Sequence, residues 1–109
     1  RGAEINHLGW TPLHYAASTG KLPVVQYLLQ QGALPNAPAP DGSSPILMAA
    51  QAGAIDTVQA LLNAGADPAA VNTNGVDAVT AARNRGNDRL ADALQEVIDK
   101  RRQRQQQSN

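Results

Sequence analysis

The chain has 109 residues, enough for one compact domain, and it contains no cysteine, which excludes disulfides and thiolate zinc sites. Residues 1–99 carry five basic and nine acidic residues, a net charge of −4, whereas Lys100, Arg101, Arg102 and Arg104 make the end of the chain basic. An acidic body argues against nucleic-acid binding, and the absence of a run of about 18 apolar residues argues against membrane insertion.

Glycines recur along the chain with a period of 33 residues. Three series keep this spacing and the same phase: Gly9, Gly42 and Gly75; Gly20, Gly53 and Gly86; Gly32 and Gly65. Internal repetition at a period of about 20–50 residues indicates stacked structural units, none of which can bury its apolar face alone.

The first helix of each unit is predicted from its capping residue. Thr11, Ser44 and Asp77 each stand two residues after the first glycine of a unit, and each can accept a hydrogen bond from a free N–H at a helix start. Proline follows the first two, at the position where its missing N–H costs nothing. Small residues let these helices approach their neighbours closely: Ala16, Ala17, Ala49, Ala50, Ala81 and Ala82.

A second helix is predicted in each unit from apolar residues three and four positions apart. These residues are Leu22, Val25, Leu28 and Leu29; Ile55, Val58, Leu61 and Leu62; and Leu90, Ala93, Leu94, Val97 and Ile98. The first helices are expected to end at Gly20, Gly53 and Gly86, and the second helices of the first two units at Gly32 and Gly65. Residues 33–43 and 66–76 are expected to form turns or hairpin loops. The last helix is expected to continue into the basic tail and fray.

These motifs resemble the ankyrin repeat. The segment Gly9-Trp-Thr-Pro-Leu-His-Tyr-Ala-Ala17, followed by Gly20, Val24-Val-Gln-Tyr-Leu-Leu29 and Gly32-Ala33, carries the likeness, and the second unit is a weaker copy. The resemblance divides the chain into the tail of a preceding repeat with a shortened finger (1–7), two repeats (8–40 and 41–73), a C-terminal capping repeat (74–98), and a partly disordered, basic, Gln-rich tail (99–109).

The resemblance implies an all-α solenoid of helix–turn–helix units, with short β-hairpin or turn fingers projecting from one side. Because the first unit has no visible cover on its N-terminal side, further repeats are expected upstream. The short first finger, from Gly2 to Gly9, is similar to that of small exported ankyrin-repeat proteins of bacteria. That likeness favours a periplasmic over a cytoplasmic location. The protein is also expected to be a monomer.

Ankyrin-repeat proteins generally bind a partner protein through their concave face and fingers, and the resemblance carries this role to fifteen positions. From the first unit they are His7, Leu8, Trp10, Ser18 and Thr19; from the second, Pro40, Asp41, Ser43, Gln51 and Ala52; from the third, Thr73, Asn74, Val76, Asn84 and Arg85. Trp10 could equally pack on Ile5 in the preceding segment.

No set of catalytic residues stands out, so the chain is not expected to be an enzyme or to need a cofactor. Thr11 and Ser44 are explained as helix caps, and the glycines follow the repeat period instead of a phosphate-loop spacing. The resemblance gives His14 a structural role, and His7 with His14 matches no metal motif. Two alternatives remain open: a structural spacer, and a metal- or small-ligand-binding protein that uses His7 and His14.

Overall fold

The computed structural model describes residues 10–107, which form six α-helices and, over that range, no β-strand. The helices are α1 (Pro12–Thr19), α2 (Leu22–Gln30), α3 (Pro45–Ala52), α4 (Ile55–Asn63), α5 (Ala78–Asn84) and α6 (Asp88–Gln107). They form three helix–turn–helix pairs, here called unit 1 (α1 and α2), unit 2 (α3 and α4) and unit 3 (α5 and α6). The predicted all-α architecture is confirmed.

The predicted caps begin the first helix of every unit. The side chains of Thr11, Ser44 and Asp77 each accept a hydrogen bond from the backbone N–H three residues further on. At the other end, α1 and α3 stop at Gly20 and Gly53, whose φ angles of 68° and 70° place them in the left-handed region. Local sequence therefore sets both ends of these short helices.

The helices stack in two rows. Helix α1 packs on α3 and α3 packs on α5, while α2 packs on α4 in the second row. All six alanines of the predicted pairs are buried: Ala16, Ala17, Ala49, Ala50, Ala81 and Ala82. Their small side chains let neighbouring first helices pack closely, and the larger apolar residues of the second helices complete one continuous core.

Helix α6 differs from the other second helices in its length. It buries Leu90, Leu94 and Ile98 and then continues into the basic tail, where Arg101 donates a hydrogen bond of 3.0 Å from Nη1 to the carbonyl of Ala66. This contact joins the tail to the link between units 2 and 3. None of the helices between residues 10 and 107 is long and apolar enough to cross a membrane.

One buried position in the second row carries an unpaired polar group. Thr57 in α4 is fully buried, and its hydroxyl has no hydrogen-bond partner among the residues that the structure describes. The residues 33 positions before and after it, Val24 and Leu90, are aliphatic. Burying a hydroxyl without a partner lowers the stability of the fold.

We therefore expect Thr57→Val, which has nearly the same shape, to raise the free energy of unfolding by about 1 kcal/mol, because it removes the unpaired hydroxyl. Urea denaturation followed by circular dichroism measures the change. Thr57→Ser is the control: it keeps the hydroxyl and loses a buried methyl group, so it should lower stability. A valine variant less stable than the parent would contradict this account.

Candidate functional site

A buried histidine, His14, spans the junction between units 1 and 2. The Nδ1 atom of His14 accepts a hydrogen bond from the backbone N–H of Thr11 (3.1 Å) and lies 2.9 Å from its hydroxyl oxygen. The Nε2 atom lies 2.9 Å from the carbonyl oxygen of Ser43 in the next unit. The ring of Trp10 packs edge-on against the imidazole, with the ring centres 5.6 Å apart. His14 thus connects the start of α1 to the finger of unit 2.

These partners fix the protonation state of His14. Because Nδ1 accepts the Thr11 N–H, the proton lies on Nε2, which donates to the carbonyl of Ser43. Burial of the imidazole lowers its pKa from the ordinary value of 6.5, since the charged form would lose its hydration; the Ser43 carbonyl opposes this effect only in part. The fold therefore holds His14 in its neutral form.

The finger of unit 2 is a tight turn centred on Asp41. The Gly42 N–H donates to the carbonyl of Ala39, and the Ala39 N–H donates to that of Ser43, both at 2.8 Å. The Asp41 carboxylate accepts a hydrogen bond from the Ser43 N–H at 3.0 Å, which lowers the pKa of that carboxyl. These bonds give the finger a defined shape without any β-strand in residues 33–43.

The finger of unit 3 is built around Asn72. Its side-chain oxygen accepts hydrogen bonds from the N–H groups of Asn74 (2.9 Å) and Val76 (3.0 Å), as expected of a turn-forming asparagine. This finger also pairs with the preceding one, because the Thr73 N–H donates to the carbonyl of Asp41 at 2.9 Å. The two fingers are consequently joined along one edge of the molecule.

A groove between units 2 and 3 lies beside these fingers and encloses about 390 Å³. We call it the unit 2–3 groove; its lining is Gln51, Asn72, Asn74, Val76, Ala81, Asn84 and Arg85. Five of the fifteen sequence-predicted positions come together here from the end of α3, the third finger and the end of α5. The side-chain amides of Gln51, Asn74 and Asn84 make no hydrogen bond with the described part of the chain.

Arg85 is the charged side chain of this groove. Its Nε donates a hydrogen bond of 3.1 Å to the main-chain carbonyl of Gln51, at the end of α3. Such terminal carbonyls have no partner inside their own helix, so the guanidinium supplies one across the junction. Arg85 is exposed and makes no ion pair with the residues described, whereas Arg83 pairs with Asp88 (3.7 Å) and Asp92 (3.3 Å).

Trp10, Ser18 and Thr19, the predicted residues of unit 1 that the structure describes, lie outside this groove. The hydroxyls of Ser18 and Thr19 donate to the carbonyl of Tyr15 at 2.8 and 3.1 Å, so both close the end of α1. Trp10 and Thr19 line a separate groove of about 570 Å³ on the outer side of unit 1. Its other lining residues are Pro12, Tyr15, Ala16, Lys21, Val24 and Leu28.

The remaining predicted positions that the structure describes lie outside the lining of the unit 2–3 groove. Pro40, Asp41 and Thr73 are exposed on the fingers, and Ala52 is exposed at the end of α3. Ser43 is buried, with 5% of its surface exposed, so its contribution is to hold the finger and His14 in place. His7 and Leu8 lie outside the described residues, as does Ile5, the alternative contact of Trp10.

Two groove residues were missed by the sequence analysis as site residues. Asn72 lies in the link at residues 66–76, for which only turns were predicted, and Ala81 was predicted only as a packing residue; each fits that prediction and also lines the groove. Asn72 lies two residues before Asn74, and Ala81 lies five residues after Val76. This closeness in sequence to predicted finger positions was the available signal. Within residues 10–107, no three His, Asp or Glu side chains are grouped closely enough to share a metal ion.

Comparison with known proteins identifies the repeat. The family model described as ankyrin repeats (3 copies) matches residues 1–72, about two thirds of the chain. The search of curated proteins found no match. Unit 3 lies outside the matched range, yet α5 packs on α3 as α3 packs on α1.

The histidine junction predicts a pH-dependent stability. Because folding lowers the pKa of His14, the stability that its bonds provide is fully present above about pH 6.5 and declines as the pH falls below that value. We expect urea unfolding of a His7→Gln background to show a lower free energy of unfolding at about pH 5 than at about pH 7.5. In the same background, His14→Leu should have a much shallower pH dependence over that interval. Equal slopes in the two proteins would contradict the assignment.

The close approach of the fingers predicts a specific effect at Gly42. Its φ is +81°, and a Cβ atom there would lie 3.2 Å from the Cα of Asn72 and from the N of Thr73. Gly75 is a matched control, with φ +75° and, apart from its chain neighbours, no described residue within 4 Å of the place that a Cβ would occupy. Both alanine substitutions should cost about 1 kcal/mol for the left-handed backbone, and Gly42→Ala about 1 kcal/mol more for the contact. Thermal unfolding measures both; equal losses would exclude the steric contribution.

Proposed function

We propose that this chain, which belongs to the ankyrin-repeat family, binds a partner protein at the unit 2–3 groove and the adjoining fingers, and catalyses no reaction itself. Ankyrin repeats are generally protein–protein interaction modules, and the repeat is a non-catalytic binding fold. The family leaves the position of the binding surface in this chain to be argued from its own residues.

The observation that carries the proposal is the set of unpaired amides on a fixed frame. Gln51, Asn74 and Asn84 each offer a donor and an acceptor at the groove, while the main chain that bears them is hydrogen-bonded within and between units. A surface of this kind loses little conformational entropy when a partner binds.

The contacts of His14 argue against the alternative that this chain binds a metal ion or a small ligand through His7 and His14. A metal ligand needs a ring nitrogen with a free lone pair, but Nδ1 of His14 already accepts a hydrogen bond and its protonated Nε2 already donates one. The imidazole is also fully buried. A structural role for His14 accounts for all of these contacts.

Several finer expectations stay predictions. They are that the protein is monomeric, that nucleic acid is not its partner, and that it resembles small exported bacterial proteins from the periplasm. The division into repeats, cap and tail at residues 7, 40, 73 and 98 is also a prediction.

A photo-crosslinking amino acid at Gln51 tests the proposal, with the same amino acid at Gln26 as the control. Both glutamines are exposed, but Gln51 lies in the groove and Gln26 on a second helix. In the native cells, we expect position 51 to capture one abundant protein that position 26 does not. Capture should decrease when an excess of the parent chain is present.

The Gln51→Ala, Asn84→Ala double variant should then bind the captured protein about tenfold or more weakly, because two buried hydrogen bonds would be lost. Its free energy of unfolding should change by less than about 0.5 kcal/mol, since both side chains are exposed. Gln26→Ala should change neither quantity. Equal capture from both positions, or none from either, would favour the structural-spacer alternative.

A further inference from the structure

The unit 2–3 groove has an unbalanced charge. Arg85 is cationic, and the rest of its lining consists of amide and aliphatic side chains, without a carboxylate. This contrasts with the body of the chain, in which acidic residues outnumber basic ones nine to five. An unpaired cation beside several amides favours an anionic group on the molecule that occupies the groove.

The guanidinium of Arg85 is also held in a defined orientation. Its Nε–H is bonded to the Gln51 carbonyl, so its planar group cannot turn freely, while it has no ion-pair partner in the described part of the chain. The two terminal nitrogens of a guanidinium match the two oxygens of a carboxylate, and prior orientation reduces the entropy lost when that pair forms.

We infer that the groove binds an extended segment of the partner protein through an aspartate or glutamate side chain, which pairs with the terminal nitrogens of Arg85. This inference rests on the proposed function and adds the chemistry of the partner. The amides of Asn74, Asn84 and Gln51 each provide both a donor and an acceptor, which suits the N–H and C=O groups of a peptide main chain.

A purely structural role for Arg85 is the competing explanation. The bond from Nε to Gln51 ties unit 3 to unit 2, and this bond alone could account for an arginine at position 85. That explanation predicts that replacing Arg85 lowers stability and leaves the choice of bound peptide unchanged. Carboxylate recognition predicts a loss of preference for acidic residues in a chain that remains folded.

A displayed library of random heptapeptides, selected against the full chain, separates these explanations. We expect the library peptides that are selected by the parent chain to share an Asp or Glu at one position. Arg85→Gln should lose that preference, whereas Arg89→Gln should keep it. Arg89 is the matched control, because it is an exposed arginine on α6 outside the groove.

A synthetic copy of a selected peptide then gives the size of the effect. Changing its acidic residue to the corresponding amide should weaken binding to the parent chain about tenfold or more, and to Arg85→Gln less than about twofold. Arg85→Lys, which keeps the charge but not the paired donors, should bind the acidic peptide with intermediate affinity. This variant also keeps the test valid if Arg85→Gln folds poorly.

Three results would overturn the inference. They are peptides without a common acidic position, equal binding of the acidic peptide by the parent chain and Arg85→Gln, or no selected peptide at all. Any of them, combined with specific capture from position 51, would leave the proposed function in place with a different mode of recognition. Failure of both the peptide selection and the capture would reject the inference and the proposed function together.

Discussion

The pair of alanines in each first helix sets the spacing on which the rest of the molecule depends. Ala49 and Ala50 are fully buried at the centre of the first row, and Ala16 and Ala17 in unit 1 and Ala81 and Ala82 in unit 3 are buried as well. In unit 3 the pair stands one residue earlier in the repeat, because the exposed Arg83 occupies the position equivalent to Ala50. A larger side chain in place of these alanines would separate the helices and remove contacts along the whole stack. Because the fingers continue directly from the units, the same spacing brings the Thr73 N–H within 2.9 Å of the Asp41 carbonyl. The shape of the proposed binding surface is therefore a consequence of how closely the core helices pack.

The two junctions between units use different polar chemistry on this common packing. Units 1 and 2 are joined through the buried imidazole of His14, which reaches the Ser43 carbonyl, and the equivalent position in unit 2 is the apolar Leu47. Between units 2 and 3 the side-chain bond comes from an exposed guanidinium, Arg85, which reaches the Gln51 carbonyl, in addition to the backbone bond from Thr73 to Asp41. A buried junction contributes to stability and responds to protonation. An exposed junction leaves its other donors accessible to a second molecule, which is why the unit 2–3 groove is a better candidate for binding than the histidine junction.

The sequence was sufficient to predict the frame of the fold. The 33-residue glycine period defined the units, and the capping residues Thr11, Ser44 and Asp77 located helix starts, because these signals act within a few residues along the chain. It was not sufficient to define the site. Ser43 and Asn74 were both predicted as partner-binding positions, yet only Asn74 lines the groove, whereas Ser43 is buried. Their fates depend on contacts such as His14 with Ser43, 29 residues apart, which no local pattern encodes.

Equivalent positions show how one frame carries different chemistry. Thr19, Ala52 and Arg85 occur 33 residues apart at the end of each unit's first helix. The hydroxyl of Thr19 donates its hydrogen bond to carbonyls of its own helix, and the side chain of Ala52 has no polar group. The arginine spans the junction and keeps donors available. Since the backbone at the three positions serves the same structural purpose, the side chain there is free to vary without loss of the fold. That freedom makes the end of α5, where the charge lies beside three unpaired amides, the place where we propose that the chain recognises its partner.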